Sequence, residues 1–299
     1  IKTPKGVFFC MKKPILNILN RPAQWHMVGD GFRVYNFFPS GYQIAEHMNP
    51  FLMLDFNPQH TFAPSQTPRG VGVHPHKGFE TVTIAYQGAV AHHDSAGNSG
   101  IIGPGEVQWM TAGSGVLHKE YHELEFSKLG GPFEMIQLWV NLPRQYKSEP
   151  PSYQTISLNN RCVWNSKNGA SQVHVIAGQF EHVKSNTRTY SEMDVWDMQI
   201  YNESLEFVVP DNRHSSCLLI NGTAVINEKN ANAHDMVLFA HDGNTVKIST
   251  ESSTRILWLS AQPILEPVVQ YGPFVMNTKQ EIVEAMEQFH AGAFGRLED

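Results

Sequence analysis

Short apolar segments recur along the whole chain, and glycine, asparagine, aspartate and proline residues separate them. Most of these segments are rich in β-branched or aromatic residues, and several alternate apolar with polar positions, as half-buried β-strands do. Strands spread over the full length favour all-β sandwiches or barrels over alternating β-α units. We therefore predict an all-β protein with strands that include residues 32–37, 81–86, 135–140, 173–177, 217–220, 245–248 and 255–259.

One segment near the end of the sequence has helical rather than strand periodicity. Its apolar side chains are Ile282, Ala285, Met286 and Phe289. This spacing places them on one face of a helix. Either Asn277 or Thr278 is available as the N-cap. We predict a short amphipathic helix over residues 278–289.

Two related β-domains are predicted. A polar stretch with three prolines, residues 143–153, is typical of an inter-domain linker,. Residues 86–90 and 220–225 both read as a strand, a glycine turn and another strand, which indicates an internal repeat,. The chain of 299 residues also agrees with two domains of about 100–200 residues each. The predicted domains are residues 11–148 and 149–299.

Composition and charge exclude several classes of protein. Hydrophobic residues make up 41% and charged residues 17%, which excludes a disordered chain,. The formal net charge of −6 provides no broad basic surface, so we expect no direct binding of nucleic acid,. No stretch approaches the ~18 uninterrupted apolar residues of a membrane span, and we find no secretory signal. The three cysteines are widely spaced and odd in number, so no disulfide framework is expected,.

We accordingly predict a cytoplasmic location. Residues 1–10 precede Met11 and Lys12, which look like a natural start, and they are excluded from the fold prediction,.

The candidate chemistry lies in the first half, where seven of the 15 histidines fall between residues 60 and 122. In His74-Pro75-His76 the two imidazoles are two positions apart, so in a strand they point to the same side. His118-Lys119-Glu120 has the same spacing. On adjoining strands these pairs would supply three imidazoles and one carboxylate, a set that suits Fe(II) or another borderline divalent metal.

Each of these motifs also has a simpler interpretation. A lone H-x-H is more often a pair of surface or core histidines than a ligand pair, and a lone H-x-E is a weaker signal still. His92, His93 and Asp94 adjoin a loop-like segment, so we interpret them as a polar turn. His122 is a spare ligand candidate that we assign to the rim of the site. Zinc-finger, phosphate-loop and hydrolase-elbow motifs are absent from the sequence.

Four blocks of the sequence resemble the pirin family. They are HPHKGFETVT at 74–83, QWMTAGSGVLHKE at 108–120, QLWVNL at 137–142 and EPVVQYGPFVMN at 266–277. The resemblance extends from Asp30 to Gly295. It implies a bicupin, which consists of two cupin-type β-barrels, here with a short C-terminal helix. The metal would lie in the N-terminal barrel, residues 11–148, and the C-terminal barrel, residues 149–299, would be metal-free.

The resemblance also implies the metal ligands, which are His74, His76, His118 and Glu120. In many cupins a glutamate shortly after H-x-H is a ligand, and Glu80 occupies that place. In pirins the carboxylate ligand follows the third histidine instead. We therefore expect Glu80 outside the coordination shell, where it would orient a ligand imidazole.

The second half of the chain lacks such a ligand set. Its histidines include His174, His182, His214, His234 and His241, which are scattered and form no H-x-H. We expect them to belong to a structural barrel. Trp109, Trp139 and Trp258 lie in strand segments, and we expect all three in the core.

The activity implied by the resemblance is that of a metal-dependent dioxygenase. Pirins are associated with Fe(II), and some open the ring of flavonols such as quercetin with O2 and release of CO. The same site would also accept Mn, Ni, Cu or Zn. Glu120 would act as the general base. The alternative is a non-enzymatic iron- or redox-sensing regulator of a protein partner, as eukaryotic pirins are linked to transcription-factor complexes, and a third interpretation is a binding module for a small anion.

Overall fold

The structure is a computed structural model that describes residues 11–298, so the excluded residues 1–10 lie outside it. Strands dominate, as the sequence predicts, and each predicted strand segment is confirmed. The first twelve strands are β1 (Ile15–Leu19), β2 (His26–Val28), β3 (Phe32–Phe38), β4 (Phe51–Phe62), β5 (Gly70–His76), β6 (Phe79–Gln87), β7 (Val90–Asp94), β8 (Ser99–Ile102), β9 (Val107–Thr111), β10 (Val116–His122), β11 (Gly131–Asn141) and β12 (Ser152–Ile156). The others are β13 (Cys162–Asn165), β14 (Gln172–Ala177), β15 (Gln179–Phe180), β16 (Val183–Lys184), β17 (Met193–Tyr201), β18 (Ser204–Val208), β19 (His214–Asn221), β20 (Thr223–Ile226), β21 (Lys229–Asn232), β22 (Met236–Phe239), β23 (Thr245–Ser249), β24 (Ser253–Ala261), β25 (Val269–Tyr271) and β26 (Phe274–Met276).

Helices are few among residues 11–298: α1 (Ala45–Met48), α2 (Leu124–Leu129), α3 (Lys279–His290) and a 3-10 turn at Arg144–Tyr146. The predicted terminal helix is confirmed as α3. Thr278 Oγ1 accepts a hydrogen bond from the Glu281 amide at 3.1 Å, and Glu281 Oε2 accepts one from the Thr278 amide at 2.9 Å. This reciprocal capping box satisfies amides that the first helical turn would otherwise leave unpaired. No helix in the described range is long and apolar enough to cross a membrane.

The described residues form two compact units, each built from segments that are distant in sequence. The first unit comprises residues 21–161, 186–192 and 263–298, and the second comprises 11–20, 162–185 and 193–262. Each unit contains a seven-stranded and a four-stranded sheet with apolar side chains between them, as in a cupin-type barrel,. The predicted fold class, two cupin-type barrels with a short helix near the end, is confirmed.

In the first unit the strand order of the larger sheet is β12-β9-β6-β11-β4-β3-β2, and that of the smaller sheet is β5-β10-β7-β8. All these neighbours are antiparallel. Leu54, Val82 and Leu138 on the larger sheet are fully buried, and so is Trp109, which confirms its predicted core position.

In the second unit the larger sheet has the order β1-β22-β19-β24-β17-β14-β13, and the smaller sheet has the order β18-β23-β20-β21. Its core is aromatic. The ring of Trp258 stacks on that of Trp196 at 5.8 Å and meets that of Phe207 edge-on at 5.0 Å. Trp258 is fully buried, as predicted.

The stretch predicted as a linker, residues 143–153, contains the 3-10 turn and the start of β12, which pairs with β9 in the first unit. The division into domains 11–148 and 149–299 stays a prediction.

The turn after the H-P-H motif is held by a distant part of the chain. Gly78 has φ +84°, and a Cβ there would lie 2.0 Å from the carbonyl oxygen of Val275, so only glycine fits,. The Lys77 amide donates to the Pro273 carbonyl oxygen at 3.2 Å, and the Val275 amide donates to that of Lys77 at 3.0 Å. Residues 273–275 therefore fix the end of β5.

A buried ammonium group reinforces this turn. Lys147 is 2% exposed, and its Nζ donates to Gly78 O and Asn141 Oδ1 at 2.7 Å and to Val275 O at 3.0 Å. Burial lowers the pKa of Lys147 to about 7. One side chain thus cross-links the turn, the end of β11 and the start of β26.

Candidate metal centre

Three of the four predicted ligand residues form one cluster of side chains. In the antiparallel pair β5–β10, His118 lies directly opposite His74, and Val116 lies opposite His76. Directly opposite residues share a face of the sheet, so all three imidazoles point to the same side. The ring centroids are 4.2 Å apart for His74 and His118, 4.6 Å for His76 and His118, and 4.8 Å for His74 and His76. One potential ligand atom from each ring lies within 4.8 Å of the others.

The hydrogen bonds of these rings leave nitrogens available to an ion. His74 Nδ1 is 2.8 Å from the carbonyl oxygen of Gly72. Since a carbonyl oxygen only accepts, Nδ1 carries the proton, and Nε2 of the neutral ring keeps its lone pair. His76 Nδ1 and both ring nitrogens of His118 are buried without a hydrogen bond to any residue in 11–298. Buried polar atoms without partners are costly in a folded protein, and coordination of a metal would satisfy them.

Burial keeps two of the imidazoles neutral. It lowers the pKa of His76 and of His118 well below the ordinary value, and the neighbouring imidazoles of the cluster lower both pKa values further. Neutral imidazole is the form that binds a metal ion. His76 and His118 are therefore in their ligating form at neutral pH.

Glu120 lies two positions after His118 on β10 and lines the same cavity as His74 and His76. Its Oε2 accepts a hydrogen bond from Gln137 Nε2 at 2.8 Å, and its Oε1 accepts one from Thr83 Oγ1 at 3.2 Å. Burial raises the pKa of this carboxyl, while the electrostatic interaction with the neighbouring His74 and the two hydrogen bonds act in the opposite sense. The potential ligand atoms that lie within 4.8 Å of one another come from the three histidines, and the carboxylate oxygens of Glu120 are not among them. Its assignment as the fourth ligand and as the general base stays a prediction.

A cavity of about 470 Å³ opens beside the cluster. Apolar side chains form about half of its lining, among them Phe32, Met53, Met135 and Trp139, and polar side chains form the rest. The indole of Trp139 meets the ring of His76 edge-on at 5.3 Å. A cavity that combines apolar surface with convergent polar groups is typical of small-molecule binding.

The structure corrects the sequence interpretation of three aromatic residues. His92, interpreted as part of a polar turn, belongs to strand β7 and is 1% exposed. Its ring stacks on that of Tyr153 at 4.7 Å, and burial together with His93 lowers its pKa to about 4. His122, assigned to the rim, is fully buried, and Trp139, expected in the core, lines the cavity.

His122 has a structural environment rather than a ligating one. Its Nε2 lies 2.8 Å from the carbonyl oxygen of Gly31, to which it donates. Its ring contacts those of Phe62 and Phe133, with centroids 4.6 Å away in each case. Strand alternation correctly placed His122 on the inner face, but it gave no information on how far the metal cluster extends along that face.

Glu80 lies outside the imidazole cluster. It is 1% exposed, and its Oε1 accepts a hydrogen bond from Thr111 Oγ1 at 2.7 Å. Burial raises the pKa of Glu80 to about 7, although the hydrogen bond from Thr111 opposes the shift. No imidazole among residues 11–298 hydrogen-bonds to it, so the expected role in orienting a ligand is wrong.

The donor set fits a transition metal. Three neutral imidazoles with a carboxylate two residues from one of them suit a borderline divalent ion and leave positions open for substrate. His74, His76 and His118 would hold the ion. The absence of metal from the second barrel stays a prediction.

Comparison with known proteins identifies relatives over nearly the whole chain. The family description Pirin matches residues 31–140, and the description Pirin C-terminal cupin domain matches residues 195–295. A Pseudomonas aeruginosa protein whose name proposes quercetin 2,3-dioxygenase activity is 41% identical over 285 residues, which are 95% of this chain and 99% of that protein.

Solved structures agree with this result. The crystal structure of a quercetin 2,3-dioxygenase from Acinetobacter baumannii superposes with a TM-score of 0.90 at 40% identity, and the match covers 96% of this chain and all of that one. A bacterial pirin from Escherichia coli, solved in complex with nickel(II), shares the fold at a TM-score of 0.61 and 18% identity, over 83% of this chain and 99% of that one.

Proposed function

The chain belongs to the pirin family, and we propose that it is a metal-dependent dioxygenase that opens the ring of a flavonol such as quercetin. The observation that carries the proposal is the cluster of His74, His76 and His118, two of them buried, in the wall of a cavity of about 470 Å³ that both apolar and polar side chains line. The P. aeruginosa relative and the A. baumannii structure, each named for this activity, support it.

We propose Fe(II) as the native metal, with Mn, Ni, Cu and Zn as ions that the same donors accept. A bound Fe(II) supplies Lewis acidity, which lowers the pKa of a coordinating hydroxyl group, and a redox couple for chemistry with O2. In the overall reaction two carbon–carbon bonds of the flavonol break. Both atoms of O2 enter the ester product, and the carbon that bears the 3-hydroxyl leaves as CO.

The residues of this chain bind and orient the substrate. The carboxylate of Glu120 takes the proton of the flavonol 3-hydroxyl, and the hydrogen bonds from Gln137 and Thr83 hold it in position,. Phe32 and Trp139 provide apolar surface for the flat rings,. Neutral imidazoles leave the charge of a bound cation uncompensated, which favours an anionic substrate.

The test is turnover by the iron-loaded protein. Quercetin in air should lose its flavonol absorbance and release an equal amount of CO, and His118→Ala should abolish both along with iron binding. His93→Ala is the matched control, since His93 lies on the neighbouring strand and contacts Tyr121 rather than the cluster. If the wild-type protein retains iron but leaves quercetin unchanged, the enzymatic proposal is refuted and the regulatory alternative is favoured. Pull-down of partner proteins under oxidising and reducing conditions would then test that alternative.

We also propose a cytoplasmic location, in keeping with the cysteine spacing,.

A further inference from the structure

A row of polar side chains crosses the inner face of the larger sheet in the first unit. In the register of this sheet Asn36 on β3 pairs with Asp55 on β4, and Asp55 pairs with Gln137 on β11. Gln137 pairs with Thr83 on β6, and Thr83 pairs with Gln108 on β9. Directly opposite residues share a face, so the five side chains form one continuous row across five strands. Four of them are at most 8% exposed, and Gln137 is half-buried.

This row is unusual because it replaces apolar side chains at inward-facing positions of a barrel. Burial of a polar group costs free energy unless a hydrogen bond compensates it. At the Thr83 and Gln137 positions the compensation is clear, because both side chains donate to the carboxylate of Glu120. The other end of the row, at Asn36 and Asp55, needs a separate explanation.

At that end the buried carboxylate of Asp55 accepts a hydrogen bond from Asn36 through one of its two oxygens. Asn36 Oδ1 accepts a hydrogen bond from the Ser40 amide at 2.7 Å, which turns Nδ2 of Asn36 toward Asp55. Nδ2 then donates to Asp55 Oδ1 at 2.7 Å. The Asp55 side chain is 6% exposed and lines the cavity together with His26, and the one hydrogen bond described for it among residues 11–298 is that from Asn36.

The position of Asp55 relative to the cluster indicates what it would bind. Adjacent strands are about 5 Å apart. Since β11 lies between β4 and β6, Asp55 on β4 is about 10 Å across the sheet from Thr83 on β6, the residue whose hydroxyl donates to Glu120,. Gln137 lies between them on β11, and the apolar side chains of Met135 and Trp139, two positions to either side of it, also line the cavity. A flat aromatic molecule that meets the histidines with one edge would therefore bring a second ring toward Asp55.

We propose that Asp55, held in orientation by Asn36, determines ligand specificity by accepting a hydrogen bond from a ring hydroxyl that is remote from the metal-binding oxygens. The ligand class is a hydroxylated aromatic compound, and the inference rests on the proposed function because it takes the chelating end of a flavonol as bound at the histidines. Asp55 is a recognition residue in this scheme and takes no part in the bond-breaking steps.

The test compares two flavonols that have the same chelating edge. Quercetin carries hydroxyls on both outer rings, whereas 3-hydroxyflavone has only the hydroxyl that meets the metal. Binding to the iron-loaded protein without O2 is followed by quenching of tryptophan fluorescence, since Trp139 lines the cavity, and KM and kcat are measured in air. Wild-type protein should bind quercetin at least about tenfold more tightly, the value of one hydrogen bond to a buried carboxylate.

Asp55→Leu should remove this preference through a higher Kd and KM for quercetin, with the values for 3-hydroxyflavone unchanged. Asp55→Asn keeps the shape of the side chain and one acceptor oxygen, so it should retain part of the preference for quercetin. This variant replaces Asp55→Leu in the test if the leucine variant fails to fold. A preference retained in full by Asp55→Leu, a preference absent from the wild type, or an equal loss of affinity for both flavonols would overturn the role of Asp55. If the protein binds quercetin with the expected preference but does not turn it over, the proposed reaction is refuted and the role of Asp55 stands. If it binds neither flavonol, the proposed reaction and the role of Asp55 are both refuted.

Discussion

Replacement of Glu80 by glutamine is expected to change how the stability of the protein depends on pH. This carboxyl is buried, and its pKa in the folded protein is about 7, compared with an ordinary value of 4.5. Between these pH values the folded chain binds more protons than the unfolded chain. The free energy of unfolding therefore falls as the pH rises through this window.

The magnitude follows from the size of the pKa difference. One pKa unit corresponds to about 1.4 kcal/mol, so the shift of Glu80 corresponds to about 3 kcal/mol of stability. This contribution is fully present below pH 4.5, declines above it and is lost once the pH exceeds the folded-state pKa of about 7. About 2.5 kcal/mol of it should disappear between about pH 5 and pH 8.

Urea unfolding of metal-free wild type and Glu80→Gln over this pH range measures the effect. The glutamine oxygen can still accept the hydrogen bond from Thr111, so the variant should lose the titration but keep the contact. Removal of metal avoids the protons that the histidines exchange when they bind an ion. The difference in unfolding free energy between the two proteins should change by about 2.5 kcal/mol, in favour of the variant at high pH.

Glu287→Gln is the control, because Glu287 is exposed on α3 and should leave the pH dependence of the wild type unchanged. Parallel stability curves for wild type and Glu80→Gln would refute the reasoning.

Three further predictions concern the supports of the site and of the fold. Gln137→Leu removes the 2.8 Å hydrogen bond to Glu120 and should lower metal affinity about 10–100-fold in a competition with a chelator. An unchanged affinity would show that Glu120 needs no such support. Lys147→Met removes three buried hydrogen bonds and should lower the urea-derived free energy of unfolding by about 2–4 kcal/mol. The exposed Lys128→Met should change it by no more than about 0.5 kcal/mol, and equal effects would contradict the cross-linking role. Thr278→Ala removes the capping hydrogen bond of α3 and should cost about 1 kcal/mol in thermal unfolding, whereas Thr278→Ser should cost little. The same loss in both variants would contradict this explanation.

Local patterns in the sequence were sufficient for the elements and for part of the site. Alternation predicted the strands, and the period of Ile282, Ala285 and Phe289 predicted α3, because both depend on neighbours within a few residues. The H-x-H spacing correctly implied that His74 and His76 share a face. That His118 lies opposite His74 depends on strand register. The spacing proposed the ligand set only on the assumption that the two motifs lie on adjoining strands, and the family resemblance implied the same set.

The remaining features depend on register between strands that are distant in sequence. Asp55 stands in the apolar segment 51–56, and Gln137 stands in the apolar segment 135–140. Each looks like an isolated polar residue until the sheet places them side by side. An inward-facing polar residue in an otherwise apolar strand is the signal that would have identified them. His92 was misassigned because its strand is short and ends at Asp94, whose carboxylate accepts a hydrogen bond from the Asn98 amide in the following turn. The sequence around His92 therefore looks like the turn rather than the strand.

The wall of the metal cavity has a consequence for how the protein matures in the cell. Gln270 and Pro273 line that cavity, and residues 273–275 hold the turn after His76. Residues 162–185 and 193–262 of the second unit, 94 in all, lie between these segments and the histidines in the order of synthesis. A ribosome therefore releases the ligand strands long before it releases the segment that closes their cavity. A metal ion offered during translation would meet an open set of imidazoles. A truncated product that ends before residue 263 would keep every histidine of the cluster but would lack Gln270 and Pro273 from the wall of the cavity.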